Sequence, residues 1–314
     1  MHKQKIFITG IAGFIGFHLA KRLASLGATV SGCDNFNDYY DVSLKEKRAQ
    51  ALGSIPIIRC DINDLKELPK GAIVIHLAAQ AGVRYSLKAP EKYVHSNLTG
   101  FAHILELCRQ SHVQKLIFAS SSSVYGLSKK IPFLESDMCD QPVSLYGATK
   151  KSNELMAHSY YHLYKIPTIG LRFFTVYGPY GRPDMAYFSF TKAILDGTPI
   201  KVFNHGKMER DFTYIDDIVD GILGAISANC QFEIFNLGNN HPEPLMDMIN
   251  YLEEGLGKQA EKIFMPMQPG DVVSTYADIS KSHKWLNFSP KVGLKEGLNH
   301  FLNWYQSETS LLQK

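Results

Sequence analysis

The chain has 314 residues, of which 45% are hydrophobic and 20% are charged. This composition is typical of a folded protein with a large core, and it excludes a disordered or collagen-like chain. The 33 basic residues nearly balance the 30 acidic ones and form no basic cluster, so nothing in the sequence supports nucleic-acid binding. No apolar run reaches the length of about 18 residues that a membrane-spanning helix needs, so we expect no membrane association.

The five cysteines are odd in number and far apart. Such a pattern favours buried free thiols over disulfides or a metal site, and it predicts a reducing compartment with no bound metal. The N-terminal stretch is basic and then apolar, as in a secretory leader, but glycines and a helical period interrupt it and no small-residue cleavage site follows. We therefore expect a cytoplasmic protein.

Short apolar strands alternate with helices in the first half of the chain. The predicted strands are Lys5–Thr9, Thr29–Cys33, Ile55–Cys60, Ala72–His76, Lys115–Ala119 and Thr168–Phe173. The predicted helices between them are Phe14–Leu26, Ser43–Leu52, Pro90–Gln110 and Leu145–Tyr164. Near-continuous apolar strands are buried on both faces, which indicates a parallel sheet covered by helices.

Beyond residue 175 the pattern loosens. Strands are predicted near Ile200–Phe203 and Phe232–Asn236, and helices near Phe188–Leu195, Asp216–Ser227, Leu245–Glu254 and Leu294–Tyr305. The predicted fold class is α/β, with a Rossmann-type doubly wound parallel sheet and a smaller C-terminal α/β substrate lobe. The sheet domain would span residues 1–175, with strand and helix returns from the C-terminal half, and the lobe would take mainly residues 176–314.

The first strand leads into a glycine-rich turn with the spacing G-x-x-G-x-x-G, formed by Gly10, Gly13 and Gly16. Gly10 permits the tight turn, Gly13 lets backbone N–H groups approach a pyrophosphate, and Gly16 lets the helix pack closely on the strand. Asp34 follows the second strand, where a carboxylate accepts hydrogen bonds from an adenosine ribose and repels a 2′-phosphate. These features predict NAD rather than NADP, although Asp34 before Asn35 is also a common turn former.

Other residues near the strand ends extend the predicted cofactor site. Small residues after the fourth strand would let a cofactor pass close to the backbone, and Asp61 could reach the adenine or simply cap a helix. The added cofactor contacts are Phe14, Ile15, Asn35, Asp61, Ile62, Leu77, Ala78, Ala79 and Gln80.

Tyr146 and Lys150 lie one helical turn apart on the same face of a predicted helix. A free phenol has a pKa near 10, so it needs a nearby positive charge to act as a base at neutral pH. A serine-rich segment, Ser120–Gly126, follows the fifth strand, where a hydroxyl would meet a substrate oxygen. Each feature alone is a weak signal, since Y-x-x-x-K and serine-rich loops are common.

Taken in this order, the motifs resemble the extended short-chain dehydrogenase/reductase family. Within that family the chain is similar to the UDP-glucuronate 4-epimerases, over about residues 5–305. The segments that carry this similarity are Asp34–Tyr40, His76–Arg84, Ser120–Gly126, Ser144–Lys150, Leu171–Gly178 and Arg210–Asp217. The resemblance implies bound NAD, a UDP-sugar substrate held mainly by residues 176–314, and a homodimer formed through two helices of each subunit.

The resemblance also implies roles for single residues. Tyr146 would be the catalytic base, and Lys150 would orient the nicotinamide ribose and lower the pKa of the phenol. Ser121 would hydrogen-bond the reacting hydroxyl, Ser123 would contact the sugar, and Phe174 would lie against the cofactor.

Further substrate contacts are implied in the C-terminal half. Arg210 would hold the diphosphate, and Asp271, in a Gln268–Asp271 segment, would accept hydrogen bonds from the uridine ribose. Relatives often carry Arg at position 268, which weakens that part of the similarity. Arg84 faces the site in this interpretation, without an assigned role; Arg210 could instead be a surface residue paired with a neighbouring acid.

The residues at positions 122 and 123 limit the types of reaction that we expect. Relatives that remove water carry an Asp-Glu pair where this chain has Ser122 and Ser123, and nucleotide-sugar decarboxylases carry Glu at the second position. A further acid–base step would therefore lack its residue. Oxidation at C4 followed by return of the same hydride, which is epimerisation, is the expected reaction.

A uronate substrate is predicted from two positions. Neutral-hexose epimerases usually place Asn where Thr175 stands, and Arg182 could meet a sugar carboxylate, although it could also be a structural loop residue. The alternatives are a 4-epimerase acting on a UDP-N-acetylhexosamine, on its uronate or on UDP-glucose. A more distant alternative is a nucleotide-sensing regulator without catalysis, against which intact Tyr146 and Lys150 argue.

Two polar pairs are given structural interpretations. His158 and His162 have zinc-like spacing on a helix, but no third ligand is evident and an interface or surface role is favoured. Asp216 and Asp217 open a predicted helix, and we expect them to cap it.

Overall fold

The computed structural model describes residues 4–312, with side chains up to residue 308. The strands are β1 (Lys5–Thr9), β2 (Thr29–Asp34), β3 (Ile57–Arg59), β4 (Ile73–His76), β5 (Lys115–Ser121), β6 (Thr168–Phe173), β7 (Thr175–Tyr177), β8 (Ile200–Val202), β9 (Glu209–Tyr214), β10 (Phe232–Leu237), β11 (Pro242–Pro244) and β12 (Lys262–Phe264). The helices are α1 (Phe14–Ser25), α2 (Val42–Ala51), α3 (Pro90–Tyr93), α4 (Gly100–Gln110), α5 (Leu145–Tyr164), α6 (Ala186–Asp196), α7 (Ile215–Ser227), α8 (Leu245–Leu256), α9 (Ser280–Leu286) and α10 (Leu294–Leu312).

Seven parallel strands form the main sheet in the order β3-β2-β1-β4-β5-β6-β10. In its centre, Ile6 of β1 is paired with Val30 on one side and with Ile73 on the other. The chain moves outward from β1 to β3 and then returns to β4, so the direction of winding reverses between β1 and β4. In open α/β sheets a ligand crevice lies at this reversal, beyond the carboxyl ends of the strands. The predicted Rossmann-type fold class is confirmed.

Apolar side chains cover both faces of this sheet. On β5, Ile117 points into the core shared with α1 and α7, and the adjacent Phe118 points into the core shared with α4 and α5. Both side chains are fully buried. Successive side chains of a strand point to opposite faces, so the continuous apolar run of β5 requires helices on both sides.

The C-terminal half supplies the smaller lobe and also returns to the main sheet. Strands β11, β9 and β7 form one small sheet, and β12 and β8 form another. Strand β10 pairs with β6 and extends the main sheet at its edge. None of the helices in the described part of the chain is long and apolar enough to cross a membrane.

Several local predictions differ from the structure. The predicted helix Pro90–Gln110 is interrupted by a π-helical segment, Val94–Thr99. Asp217 does not cap α7; its carboxylate accepts hydrogen bonds from the backbone N–H groups of Lys291 and Val292, so it ties α7 to the segment before α10. The short strands β7, β9, β11 and β12 and the helix α9 were not predicted.

Candidate active site

A cleft opens at the carboxyl edge of the main sheet, beside the reversal between β1 and β4. The glycine turn, the ends of β2, β4 and β5, and the start of α5 form its walls, together with the loop before α6. The predicted site residues that line it are Gly10, Gly13, Phe14, Ile15, Gly16, Asp34, Asn35, Asp61, Ile62, Leu77, Ala78, Ala79, Gln80, Ser121, Tyr146, Lys150, Phe174 and Arg182. Residues from eight separate segments of the sequence therefore meet in one place.

The glycine turn leaves no room for side chains. Gly10 has a φ of +72°, and a Cβ atom there would lie 2.8 Å from the backbone nitrogen of Ala78. A Cβ on Gly13 would lie 2.9 Å from the Gly10 carbonyl oxygen, and a Cβ on Gly16 would overlap that same atom. The N-terminus of α1 follows directly, and its free N–H groups favour an anion. This cradle fits the pyrophosphate of a dinucleotide.

Asp34 lies in a turn and also lines the cleft. Its Oδ2 atom accepts a hydrogen bond from the Ala12 backbone at 3.1 Å, and its Oδ1 atom accepts one from the Phe36 backbone at 2.9 Å, as in a turn. The carboxylate also lines the cleft at the end of β2, and the Lys45 ammonium lies 3.7 Å from it. Its position suits an acceptor for ribose hydroxyls.

Polar groups beyond Asp34 close this end of the cleft. Asn35 donates a hydrogen bond to the Asp61 carboxylate at 3.0 Å. That carboxylate also accepts two hydrogen bonds from Asn63, and these bonds hold the pKa of Asp61 below its ordinary value despite partial burial. On the opposite side, Gln80 exchanges two backbone hydrogen bonds with the buried Asn97 amide, which fixes the segment after β4.

Tyr146 and Ser121 meet at the base of the cleft. Ser144 caps α5 by accepting a hydrogen bond from the Gly147 backbone, so Tyr146 stands in the first turn of this helix. Burial raises the pKa of Tyr146, while a hydrogen bond from the Ser121 hydroxyl and the positive charge of Arg182 act in the opposite direction. Ser121 and Arg182 thus stabilise negative charge on the phenol oxygen, as a base requires.

Lys150 lies one helical turn after Tyr146 on α5 and also lines the cleft. Its Nζ atom donates a hydrogen bond to the Ala119 carbonyl at 2.9 Å and lies 5.9 Å from the centre of the Tyr146 ring. The effect of Lys150 on the pKa of the phenol stays a prediction. Burial lowers the pKa of Lys150 itself to about 8, and the ammonium faces the cleft where a cofactor ribose would lie.

Arg182 enters the cleft from the loop before α6. Its Nε and Nη2 atoms donate hydrogen bonds to the Asp184 carboxylate at 3.0 and 2.5 Å, and Tyr39 donates a third to the same carboxylate at 3.1 Å. Arg182 is close enough to Tyr146 for its charge to affect the pKa of the phenol. The structure therefore brings a fixed positive charge beside the predicted base.

A second polar group, the cluster of Arg84, Arg210 and Asp271, does not line this cleft. Arg84 donates a hydrogen bond to the Asp271 carboxylate at 2.9 Å and stacks on the Phe203 ring. Burial lowers the pKa of the nearby Arg210, the Asp271 charge raises it and the Arg84 charge lowers it. Arg210 donates to the backbone carbonyl oxygens of Glu209 and Val273 rather than to an acid, so the expected surface ion pair is not what holds it. Among the described residues the buried Gln268 Oε1 atom has no hydrogen-bond donor.

The remaining predicted substrate residues do not line the cofactor cleft. Ser122 and Ser123 begin a 3₁₀ turn, and Ser123 donates its backbone N–H to the Ser121 hydroxyl. Thr175, half-buried at the start of β7, lies next to the cleft-lining residue Phe174. All three lie within two residues of a residue that lines the cleft, Ser121 or Phe174.

Sequence reasoning missed Tyr39, Asp184 and Arg48. Tyr39 and Asp184 belong to loops that follow carboxyl ends of strands, which is a usable signal for a cleft residue. Arg48 lies on α2, where the sequence predicts a solvent-exposed side chain. In the structure this side chain is fully buried. Its partners are backbone carbonyl oxygens and the Tyr40 hydroxyl, which no sequence pattern indicates.

Two further expectations concern histidines and metals. His158 packs edge-on against Phe232, with ring centres 4.9 Å apart. Among the described residues no group of three or more His, Cys, Asp or Glu side chains could hold a metal ion.

Residues 6–238 match the NAD dependent epimerase/dehydratase family. The chain belongs to this family. It is 48% identical to protein CapI of Staphylococcus aureus over 96% of this chain and 98% of that protein. It is also 48% identical to UDP-glucuronate 4-epimerase 2 of Arabidopsis thaliana, over 96% of this chain and 75% of the relative. The structure of UDP-glucuronic acid 4-epimerase from Bacillus cereus, in complex with UDP-glucuronic acid and NAD, is similar with a TM-score of 0.91 and 36% identity, and the match covers 97% of this chain and 100% of that one.

Proposed function

We propose that the protein is an NAD-dependent 4-epimerase that interconverts UDP-glucuronate and UDP-galacturonate through a transient 4-keto sugar. The similarity to UDP-glucuronate 4-epimerases from plants and from Bacillus cereus supports this function. The observation that carries it in this chain is the position of Arg182, whose positive charge stands beside the Tyr146 phenol at the base of the cleft. A uronate differs from a neutral hexose by one carboxylate, which needs such a cation.

The dinucleotide would lie along the glycine cradle, with its adenosine ribose at Asp34 and its nicotinamide ribose at Lys150. When bound, NAD accepts a hydride from C4 of the sugar and later returns it. Tyr146 takes the proton of the C4 hydroxyl as the sugar is oxidised, and gives it back after the keto sugar has presented its other face. Ser121 holds the reacting oxygen, and positioning of this kind contributes much of a rate enhancement.

The carboxylate must be held through the keto stage. A 4-keto uronate is a β-keto acid, which loses carbon dioxide readily when its C5–C6 bond stands perpendicular to the plane of the C4 carbonyl. Arg182 would bind this carboxylate together with hydroxyls of Ser121, Ser123 and Thr175. Ser122 and Ser123 supply no acid, so the site lacks a group for a dehydration or a decarboxylation step.

The UDP portion would lie against the second polar group. Arg210 and Arg84 offer positive charge for the diphosphate, and Asp271 offers a carboxylate for the uridine ribose. The Gln268 Oε1 atom offers an acceptor for a base N–H, since it has no donor among the described residues.

The test is the identity of the product that the purified protein makes from UDP-glucuronate, read by NMR. UDP-galacturonate is expected. A UDP-pentose would identify a decarboxylase, and turnover only of UDP-glucose or UDP-N-acetylglucosamine would identify a neutral-sugar epimerase. Failure to convert any of these sugars while NAD remains bound would favour a nucleotide-sensing regulator.

We also infer a homodimer in the cytoplasm. Three large apolar side chains of α5, those of Leu155, Leu163 and Tyr164, are 62%, 62% and 47% exposed, which favours a second copy packed against this helix. The five cysteines are free thiols, four of them buried, which favours a reducing compartment. A light-scattering mass of one chain would contradict the dimer.

A further inference from the structure

Asp184 fixes the orientation of Arg182. The carboxylate engages the guanidinium at Nε and at Nη2, which is the two-point geometry that holds an arginine fork in one plane. Both groups are about three-quarters buried, so water competes weakly for them. The two hydrogen bonds to Asp184 occupy Nε and Nη2, which leaves the Nη1 edge of the fork for a substrate carboxylate.

Tyr39 holds Asp184 from a different loop. Tyr39 belongs to the loop between β2 and α2, and its hydroxyl donates to the Asp184 Oδ2 atom at 3.1 Å. The loop after β4 leaves space for this contact: Gly82 has a φ of +94°, and a Cβ there would lie 2.5 Å from the Tyr39 hydroxyl. Three segments that are distant in sequence therefore converge on this one hydrogen bond.

The backbone of the Arg182 loop is held by a different residue. The guanidinium of Arg48 donates to the carbonyl oxygens of Tyr180 and Gly181 on this loop, and to that of Ala12 in the glycine turn. Because Arg48 already ties the loop to the sheet domain, the Tyr39 hydroxyl is not needed to keep the loop in place. The Tyr39 hydroxyl acts on the direction of the Asp184 carboxylate, and it affects the Arg182 side chain both through this carboxylate and by its own contact with the guanidinium.

We propose that Tyr39 and Asp184 are positioning residues for uronate specificity, which hold the Arg182 guanidinium with its Nη1 donors facing the sugar carboxylate. The proposal rests on the proposed function. A sugar carboxylate then meets a cation that is already oriented, so little side-chain freedom is lost on binding. In this arrangement Arg182 contacts two carboxylates: that of Asp184 at Nε and Nη2, and that of the substrate at Nη1.

A loosened Arg182 has a specific chemical consequence at the keto stage. If the C5–C6 bond comes to stand perpendicular to the plane of the C4 carbonyl, it breaks and its electron pair forms the enolate of the C4 ketone. Carbon dioxide leaves, a proton from water adds at C5, and the hydride already transferred stays on the coenzyme. A UDP-4-keto-pentose and reduced coenzyme therefore accumulate in equal amounts.

The test uses the Tyr39→Phe holoenzyme with UDP-glucuronate, and Tyr85→Phe as the matched control. The Tyr85 ring lies 4.9 Å from that of Tyr39, but its hydroxyl interacts with Lys92. For Tyr39→Phe we expect a KM about 10-fold higher, a larger share of keto-pentose, and unchanged NAD content. Asp184→Asn, which keeps the shape but removes the charge, should raise the keto-pentose share further.

Three results would overturn the proposal. One is a Tyr39→Phe enzyme with the same KM and product ratio as Tyr85→Phe. Another is joint loss of bound NAD and activity, which would give Tyr39 a merely structural role. A third is a decrease confined to kcat with no keto-pentose. If the unmodified enzyme does not convert UDP-glucuronate at all, the proposed function itself fails, and this outcome is separate from the other three.

Discussion

The two sides of the active site are built in different ways. The cofactor side consists of residues that directly follow parallel strands, so their positions are set by the sheet itself: Gly10 after β1, Asp34 at the end of β2 and Leu77 after β4. The proposed substrate side is assembled from loops that are far apart in sequence, such as those that carry Arg84 and Asp271. The first side can be located from local sequence patterns, and the second depends on tertiary contacts.

The largest expected effect tests the cofactor side. Tyr146→Phe removes the hydroxyl that takes the C4 proton, and we expect kcat to fall about 1,000-fold, because a positioned acid–base group contributes 10²- to 10⁴-fold. Bound NAD should remain, since the ring still packs at the base of the cleft. The measurement is turnover of UDP-glucuronate together with coenzyme content. A variant that keeps more than a tenth of the activity would remove Tyr146 from the mechanism.

The next effect tests the substrate side. Arg182→Lys keeps the positive charge but loses the two-point contact with Asp184, and we expect kcat/KM for UDP-glucuronate to fall about 100-fold, with carbon dioxide released in some turnovers. Arg22→Lys is the matched control, because Arg22 is an exposed residue paired at 3.9 Å with Asp220. Equal losses in the two variants, or none for Arg182→Lys, would argue against carboxylate recognition by Arg182.

The comparison also explains how far the sequence could predict the structure. The sheet, the glycine turn and the Tyr146–Lys150 pair follow from apolar runs and fixed spacing, both of which are local. Strand β9 was missed because it contains Arg210 and Asp211, and charged residues are unusual in a buried strand. In the structure Asp211 is satisfied by backbone N–H groups of Asn240 and Ala277, from two other segments, and no local pattern predicts such partners.

The pKa of Tyr146 illustrates the same limit. Sequence spacing put Lys150 one turn from the phenol and assigned it the role of lowering the pKa. The structure adds Ser121 and Arg182, which come from other elements and lower the pKa of the phenol, while Lys150 donates its hydrogen bond to the Ala119 carbonyl. Spacing along a helix gives proximity, but the direction of a side chain depends on the acceptors around it.

The smallest effect concerns stability rather than activity. His76, buried on β4, shares a 2.8 Å hydrogen bond with Thr9, and burial together with the Lys150 charge lowers its pKa to about 3. In the unfolded chain His76 is protonated near pH 6.5, whereas in the folded protein it is protonated only near pH 3. The contribution of His76 to the free energy of unfolding is therefore fully present above pH 6.5. It is lost as the pH falls toward 3, by at most about 1.4 kcal/mol per pH unit.

Urea unfolding at several pH values between 4 and 7 measures this slope. His76→Asn should flatten the pH dependence and lower stability at neutral pH. The exposed His241, replaced in the same way, is the control. If both variants keep the slope of the unmodified protein, His76 is not the source of the acid sensitivity.

The most direct test of the account follows one hydrogen atom. UDP-glucuronate carrying deuterium at C4 is converted by the holoenzyme in ordinary water, and the product is examined by NMR and mass spectrometry. The account predicts UDP-galacturonate that keeps the deuterium at C4, because the same hydride leaves one face of the ring and returns to the other. Loss of the label to water, or its appearance in coenzyme released from the protein, would contradict the mechanism.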